Sequence, residues 1–130
     1  MTVVVGYIPN QHGEAALTAG LAEARLRGSD LLVVNATRGD SLIDKKYLGE
    51  SAVADLEQRL SRESGVSTAV RQGMGPDVAE EIVRVAAEVD AELLVIGLRP
   101  RTPVGKMIMG SVAQHVLVDA HCPVLAVKAD

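Results

Sequence analysis

The residues best suited to chemistry lie between Gly97 and Ser111, in the stretch GLRPRTPVGKMIMGS. Arg99, Arg101 and Lys106 place three cations there. No acid occurs from Gly97 until Asp119, although the whole chain carries a net charge of −4. Such a cationic island suits phosphate, because guanidinium and ammonium groups make charge-assisted hydrogen bonds to its oxygens. The stretch follows an apolar run, Leu93 to Ile96, that reads as a buried strand, and precedes VAQHVLVDA, which reads as a helix. Open parallel sheets bind ligands beyond the carboxyl ends of their strands. A helix start adds unpaired N–H groups and a partial positive charge. Gly110 and Ser111 stand at the expected cap, where Gly lets a ligand approach the backbone and Ser offers a hydroxyl. A solvated connection with ordinary surface cations is the competing reading of the same residues.

Other motifs fall short. A Walker A loop needs Gly, four residues, then Gly-Lys-Ser/Thr. Gly105-Lys106 is present, but Pro100 holds the first Gly position and Met107 the hydroxyl position. Gly73-Met74-Gly75 resembles the opening of a dinucleotide fingerprint, yet Val78 replaces its third Gly. The following turn carries Asp77, Glu80 and Glu81. Those acids suit a helix start and repel a pyrophosphate. Gly73 to Pro76 is therefore expected to form a turn, with Pro76 at the first helical position and Glu80 and Glu81 on a solvated face. His12, His115, His121 and Cys122 lack metal-ligand spacing. No Ser stands in a nucleophile elbow, and no catalytic residue is assigned. An enzyme reading reaches at most a slow nucleotide hydrolase.

The elements that must position the loop follow from apolar periodicity. Strands are expected from Val3 to about Tyr7, Leu31 to Ala36, Val66 to Val70, Leu93 to Ile96 and Val124 to about Lys128. Helical spacing appears at Leu17, Gly20, Leu21 and Ala24, at Val53, Leu56 and Leu60, at Val78, Ile82, Val85, Ala86 and Val89, and after Ser111. Alternation of this kind predicts an α/β fold with a parallel sheet and helices on both faces. Period-two alternation from Val66 to Arg71 predicts an edge strand. At 130 residues a single domain is expected, spanning 1–130.

Composition narrows the function classes. The chain has two Tyr, no Phe and no Trp. Binding of single-stranded nucleic acid by stacking needs aromatic platforms, and the acidic balance disfavours a phosphate-backbone binder. No nucleic-acid partner is expected. No apolar run approaches the roughly 20 residues that span a bilayer, so no membrane partner is expected. One Cys, Cys122, and the lack of a signal-like leader predict a reducing, cytoplasmic location.

Over nearly its full length the chain resembles the universal stress protein family. The match rests on VVVGY with AAL at 15–17, on ELLVIGLR, and on GSVAQHVLVDAHCPVLAV. The resemblance implies a five-strand sheet of order 3-2-1-4-5. It also implies a homodimer paired through the last strand and an adenine nucleotide (ATP, ADP or AMP) bound at the strand-four loop, with magnesium present only if the nucleotide is. Nucleotide-binding members carry Gly-x2-Gly-x9-Gly-Ser/Thr. Gly97, Gly110 and Ser111 match this, while Pro100 replaces the middle Gly and removes an N–H. Such members also carry an Asp just after the first strand, where Ile8 stands here. The site implied is Gly97, Arg99, Arg101, Lys106, Gly110, Ser111 and Val112, with Val34 and Gly73 flanking the base. Weak binding is the expectation. The alternative is a dimeric member that binds no nucleotide and acts through protein partners.

Overall fold

A computed structural model describes residues 1–39, 42, 44–63, 65–98 and 110–129. Among them, strand and helix alternate: β1 (Thr2–Gly6), α1 (Gln11–Arg27), β2 (Asp30–Thr37), α2 (Gly49–Glu63), β3 (Thr68–Met74), α3 (Val78–Glu88), β4 (Leu93–Leu98), α4 (Ser111–Asp119) and β5 (Val124–Lys128). The strands form one parallel sheet of order β3-β2-β1-β4-β5. The order reverses at β1, which pairs with β2 on one side and β4 on the other. No helix among the described residues is long and apolar enough to cross a membrane.

Successive strand residues feed opposite faces. Val3, Val5, Leu31, Val33, Leu93 and Val95 pack against Ala16, Leu17 and Ala24 of α1 and Leu56 and Leu60 of α2. Val4, Val34, Ala36, Leu94 and Ile96 pack against Ile82, Val85 and Ala86 of α3 and Ala113 and Val116 of α4. The continuous apolar runs in β1, β2 and β4 are thus strands covered on both faces. Each buried Val or Leu contributes about 1.5–3 kcal/mol relative to exposure.

The boundaries that differ most from the sequence reading are those of β3, α3 and β4. β3 begins at Thr68 and runs on to Met74, because its ladder with β2 continues through Ala36↔Gly73 and Thr37↔Met74. Gly73 is therefore inside the strand. Pro76 is not the first helical residue. Asp77 caps α3, its Oδ1 accepting from the Glu80 N–H at 3.1 Å, and the helix begins at Val78. β4 extends two residues past Ile96, since Gly97 and Leu98 pair with Val127 and Lys128 of β5. Glu81 is also not simply solvated. Its side chain is 15% exposed, pairs with Arg84 at 2.8 Å and lies over Gly73. Cys122 packs against the α3–α4 face, where burial raises its thiol pKa.

Asn10 starts α1, its Oδ1 accepting from the His12 and Gly13 N–H groups at 3.0 Å. The helix then meets backbone twice. A Cβ on Gly13 would lie 1.7 Å from the Ile8 carbonyl oxygen, and one on Gly97 would lie 2.3 Å from the His12 carbonyl oxygen. Neither neighbour is a side chain that could rotate away. Gly13→Ala is expected to destabilise the fold by about 1–3 kcal/mol, the usual cost of overpacking, read as a lower urea midpoint.

Tyr7 ties β1 to both helices on its side. Its hydroxyl donates to Glu14 of α1, and Glu14 accepts from Arg59 of α2 at 3.1 and 3.2 Å. Burial, then the Glu14 hydrogen bond and charge, push the Tyr7 phenol up to about 12. An unfolded tyrosine ionises near 10. The folded state therefore holds the proton more tightly, and its stability falls as pH rises from about 10 to 12. In a Tyr47→Phe variant, absorbance at 295 nm is expected to rise near pH 12 for the folded protein.

Candidate functional site

A cavity of about 510 Å³ opens at the carboxyl ends of the central strands. Gly6, Tyr7 and Ile8 from the end of β1 form its floor. Val34 and Ala36 of β2 and Ile96 and Gly97 of β4 flank it. Three helix starts close around this floor: His12 and Gly13 of α1, Val78 and Ile82 of α3, and Gly110 to Ala113 at the start of α4. The position follows from topology. Where strand order reverses, the connections leave to opposite faces and a crevice remains between them.

The walls divide by chemistry. Val34 is fully buried, and Ala36, Ile82 and Ile96 are each at most 6% exposed, so one side is apolar. At the β4 side, Gly110 is the α4 N-cap with extended backbone, and among the described residues no side-chain hydrogen bond caps the helix. The first N–H groups of a helix have no partner within it, and this end carries partial positive charge. Ser111 adds an exposed hydroxyl beside them. Gly97 lies at the foot of this wall, with the α1 backbone against it.

Of the residues expected to form the site, Gly97, Gly110, Ser111, Val112 and Val34 line this cavity. Gly73 is not among its lining residues, and a Cβ there would lie 2.6 Å from Glu81 Oε2. Arg99, Arg101 and Lys106, and Pro100 with them, lie outside the described residues. Ile8 does line the cavity, an apolar side chain at the end of β1.

Four polar residues enter the cavity wall without a sequence signal. His12 follows the α1 cap by two positions, and its Nδ1 is buried with no hydrogen-bond partner among the described residues. Arg38, Asp44 and Lys46 come from the connection between β2 and α2. They are spread over a polar stretch whose folded path depends on Asn35, a residue buried in β2. Asn35 Nδ2 donates to the Tyr7 and Lys46 carbonyls, both at 2.9 Å, and Oδ1 accepts from the Leu48 N–H at 3.0 Å. Nothing local to Asn35 announces partners 11 and 28 residues away. Among the described residues, no cluster of three His, Cys, Asp or Glu side chains could hold a metal ion.

Comparison with known proteins fits this architecture. The model of the "Universal stress protein family" matches residues 1–128. A universal stress protein of Mycolicibacterium smegmatis is 47% identical over 126 residues, covering 97% of this chain and 96% of that one. The structure of a universal stress protein from Archaeoglobus fulgidus superposes with a TM-score of 0.72 at 31% identity, covering 98% and 97% of the two chains. A universal stress protein from Archaeoglobus fulgidus in complex with dAMP superposes with a TM-score of 0.67 at 28% identity, covering 98% and 96%. Sheet order, a match over almost the whole length and close relatives agree: the chain belongs to the universal stress protein family.

Proposed function

We propose that this protein is a stress-response regulator that binds an adenine nucleotide, AMP, ADP or ATP, weakly in the cavity at the β1 switch point. The observation that carries the reading is the pairing of two unlike walls. The helix start at Gly110 and Ser111 suits phosphate, and the apolar surface of Val34, Ala36 and Ile82 suits a base. The dAMP complex of a relative 28% identical supports the ligand class. Gly97, Val112 and the start of α4 would hold the phosphate end with Arg99, Arg101 and Lys106 of the same connection. Val34 would lie against the base, with Gly73 on the neighbouring strand. Ile8 accounts for the weakness, because it offers no acceptor to a ribose hydroxyl. Magnesium would enter only with the nucleotide.

A homodimer paired through the two β5 edges completes the reading, in the cytoplasm. β5 has a neighbour, β4, on one side of the sheet, and its Leu125 is 37% exposed. Unpaired apolar edges are commonly paired or covered. A second reading, regulation through a protein partner without nucleotide, draws on the apolar residues exposed beside that edge: Leu117 at 39% and Val118 at 81%.

Titration calorimetry with AMP, ADP and ATP, with and without magnesium, tests the first reading. Ile8→Asp is expected to strengthen AMP binding by on the order of 1 kcal/mol, about fivefold, by restoring a hydroxyl acceptor. Absence of heat from every nucleotide, with the variant folded, favours the partner reading. Sedimentation is expected to show a dimer at micromolar concentration that Leu125→Pro weakens. A monomer there contradicts the edge pairing.

A further inference from the structure

The wall opposite the α4 start is charged as well. Arg38 and Lys46 both line the cavity at the β2 side. Asp44 stands between them, but its carboxylate is turned to the backbone of its own loop. Oδ2 accepts from the Arg38 N–H at 3.3 Å and Oδ1 from the Lys46 N–H at 3.0 Å. Arg27, Arg59, Arg71 and Arg84 are each paired with a Glu. Among the described residues neither Arg38 nor Lys46 has such a carboxylate partner for its side chain. Among the described residues this wall therefore presents two cations and one anion already engaged by two amides.

The loop that carries them is fastened to the sheet. Asn35 is fully buried, and its Nδ2 holds the Lys46 carbonyl at 2.9 Å while Oδ1 holds the Leu48 N–H at 3.0 Å. Gln72 of β3 donates to the same Oδ1 at 2.6 Å. A buried network whose members hold one another fixes backbone position. Lys46 thus departs from an anchored backbone at the cavity mouth.

Two strand spacings separate β2 from β4, about 10 Å. The cavity accordingly has cations at one end, a helix start at the other, and Val34, Ala36 and Ile82 between them. Resting on the nucleotide reading above, we infer that Arg38 and Lys46 form a second anion subsite. The ligand it takes is a nucleotide that also bears negative charge at its base end, about 10 Å from the 5′-phosphate. A phosphate at the α4 start directs the base toward β2, so a carboxylate or phosphate attached to the base edge meets Arg38 and Lys46. Charge-assisted hydrogen bonds to such a group are favourable even at a half-open site.

The test is calorimetry on the full chain with three probes: AMP, N6-(1,2-dicarboxyethyl)-AMP and adenosine 3′,5′-bisphosphate. The dicarboxyethyl compound is expected to bind about fivefold to tenfold more tightly than AMP, the gain of one or two exposed charge contacts. In an Arg38→Gln, Lys46→Gln double variant that ratio is expected to fall to about one. The bisphosphate, whose second phosphate sits beside the ribose, is expected to show less gain. Equal binding of AMP and the dicarboxyethyl compound overturns the subsite while leaving the nucleotide site standing. A gain that persists in the double variant, or an equal gain for the bisphosphate, overturns it too. Silence from all three probes removes the nucleotide reading and this one together.

Discussion

At the start of α1 the chain lies backbone on backbone. Gly13 sits over the Ile8 carbonyl and Gly97 of β4 sits under the His12 carbonyl, with no room for a Cβ at either place. These contacts fix the helix axis relative to the two central strands. Interiors are packed densely enough that a shift at one such contact is felt by its neighbours. The floor of the cavity, Gly6 to Ile8, and its α1 wall inherit their positions from this arrangement. The Tyr7–Glu14–Arg59 connection then holds α2 to the same corner.

The strand runs and the helix faces were legible because the signal is local, whereas the sheet order was implied by the family resemblance alone. Val3-Val4-Val5, Leu31 to Ala36 and Leu93 to Ile96 are too continuously apolar to be half exposed, and the α3 stripe repeats at helical spacing. The same logic misplaced the end of β3. Gly73 and Gly75 read as a turn, but the ladder to Ala36 and Thr37 outweighed the low strand preference of Gly. Gly97 matched a ligand-loop pattern, while the fold also requires it for helix packing. One residue can satisfy both demands, and sequence does not separate them.

The β2-side cations were illegible for a different reason. Arg38, Asp44 and Lys46 sit in a polar stretch that resembles any surface loop. Their placement depends on a side chain, Asn35, that looks like an interruption in an apolar strand. A buried amide costs free energy unless every donor and acceptor is met. Here that cost is offset by hydrogen bonds to β1, to β3 and to the loop. His12 follows the same pattern: its place in the cavity wall comes from the α1 start, not from any motif around it.

The proposed nucleotide site is the cavity at the β1 switch point. Backbone amide shifts recorded by NMR during an AMP titration test it most directly. The largest changes are expected at Gly6 to Gly13, at Val34 and Ala36, at Gly97 and at Gly110 to Ala113, with the Thr68 to Arg71 part of β3 and the outer edge of β5 nearly unmoved. Shifts centred instead on Val118 and Leu125, or on the β3 edge, would contradict it.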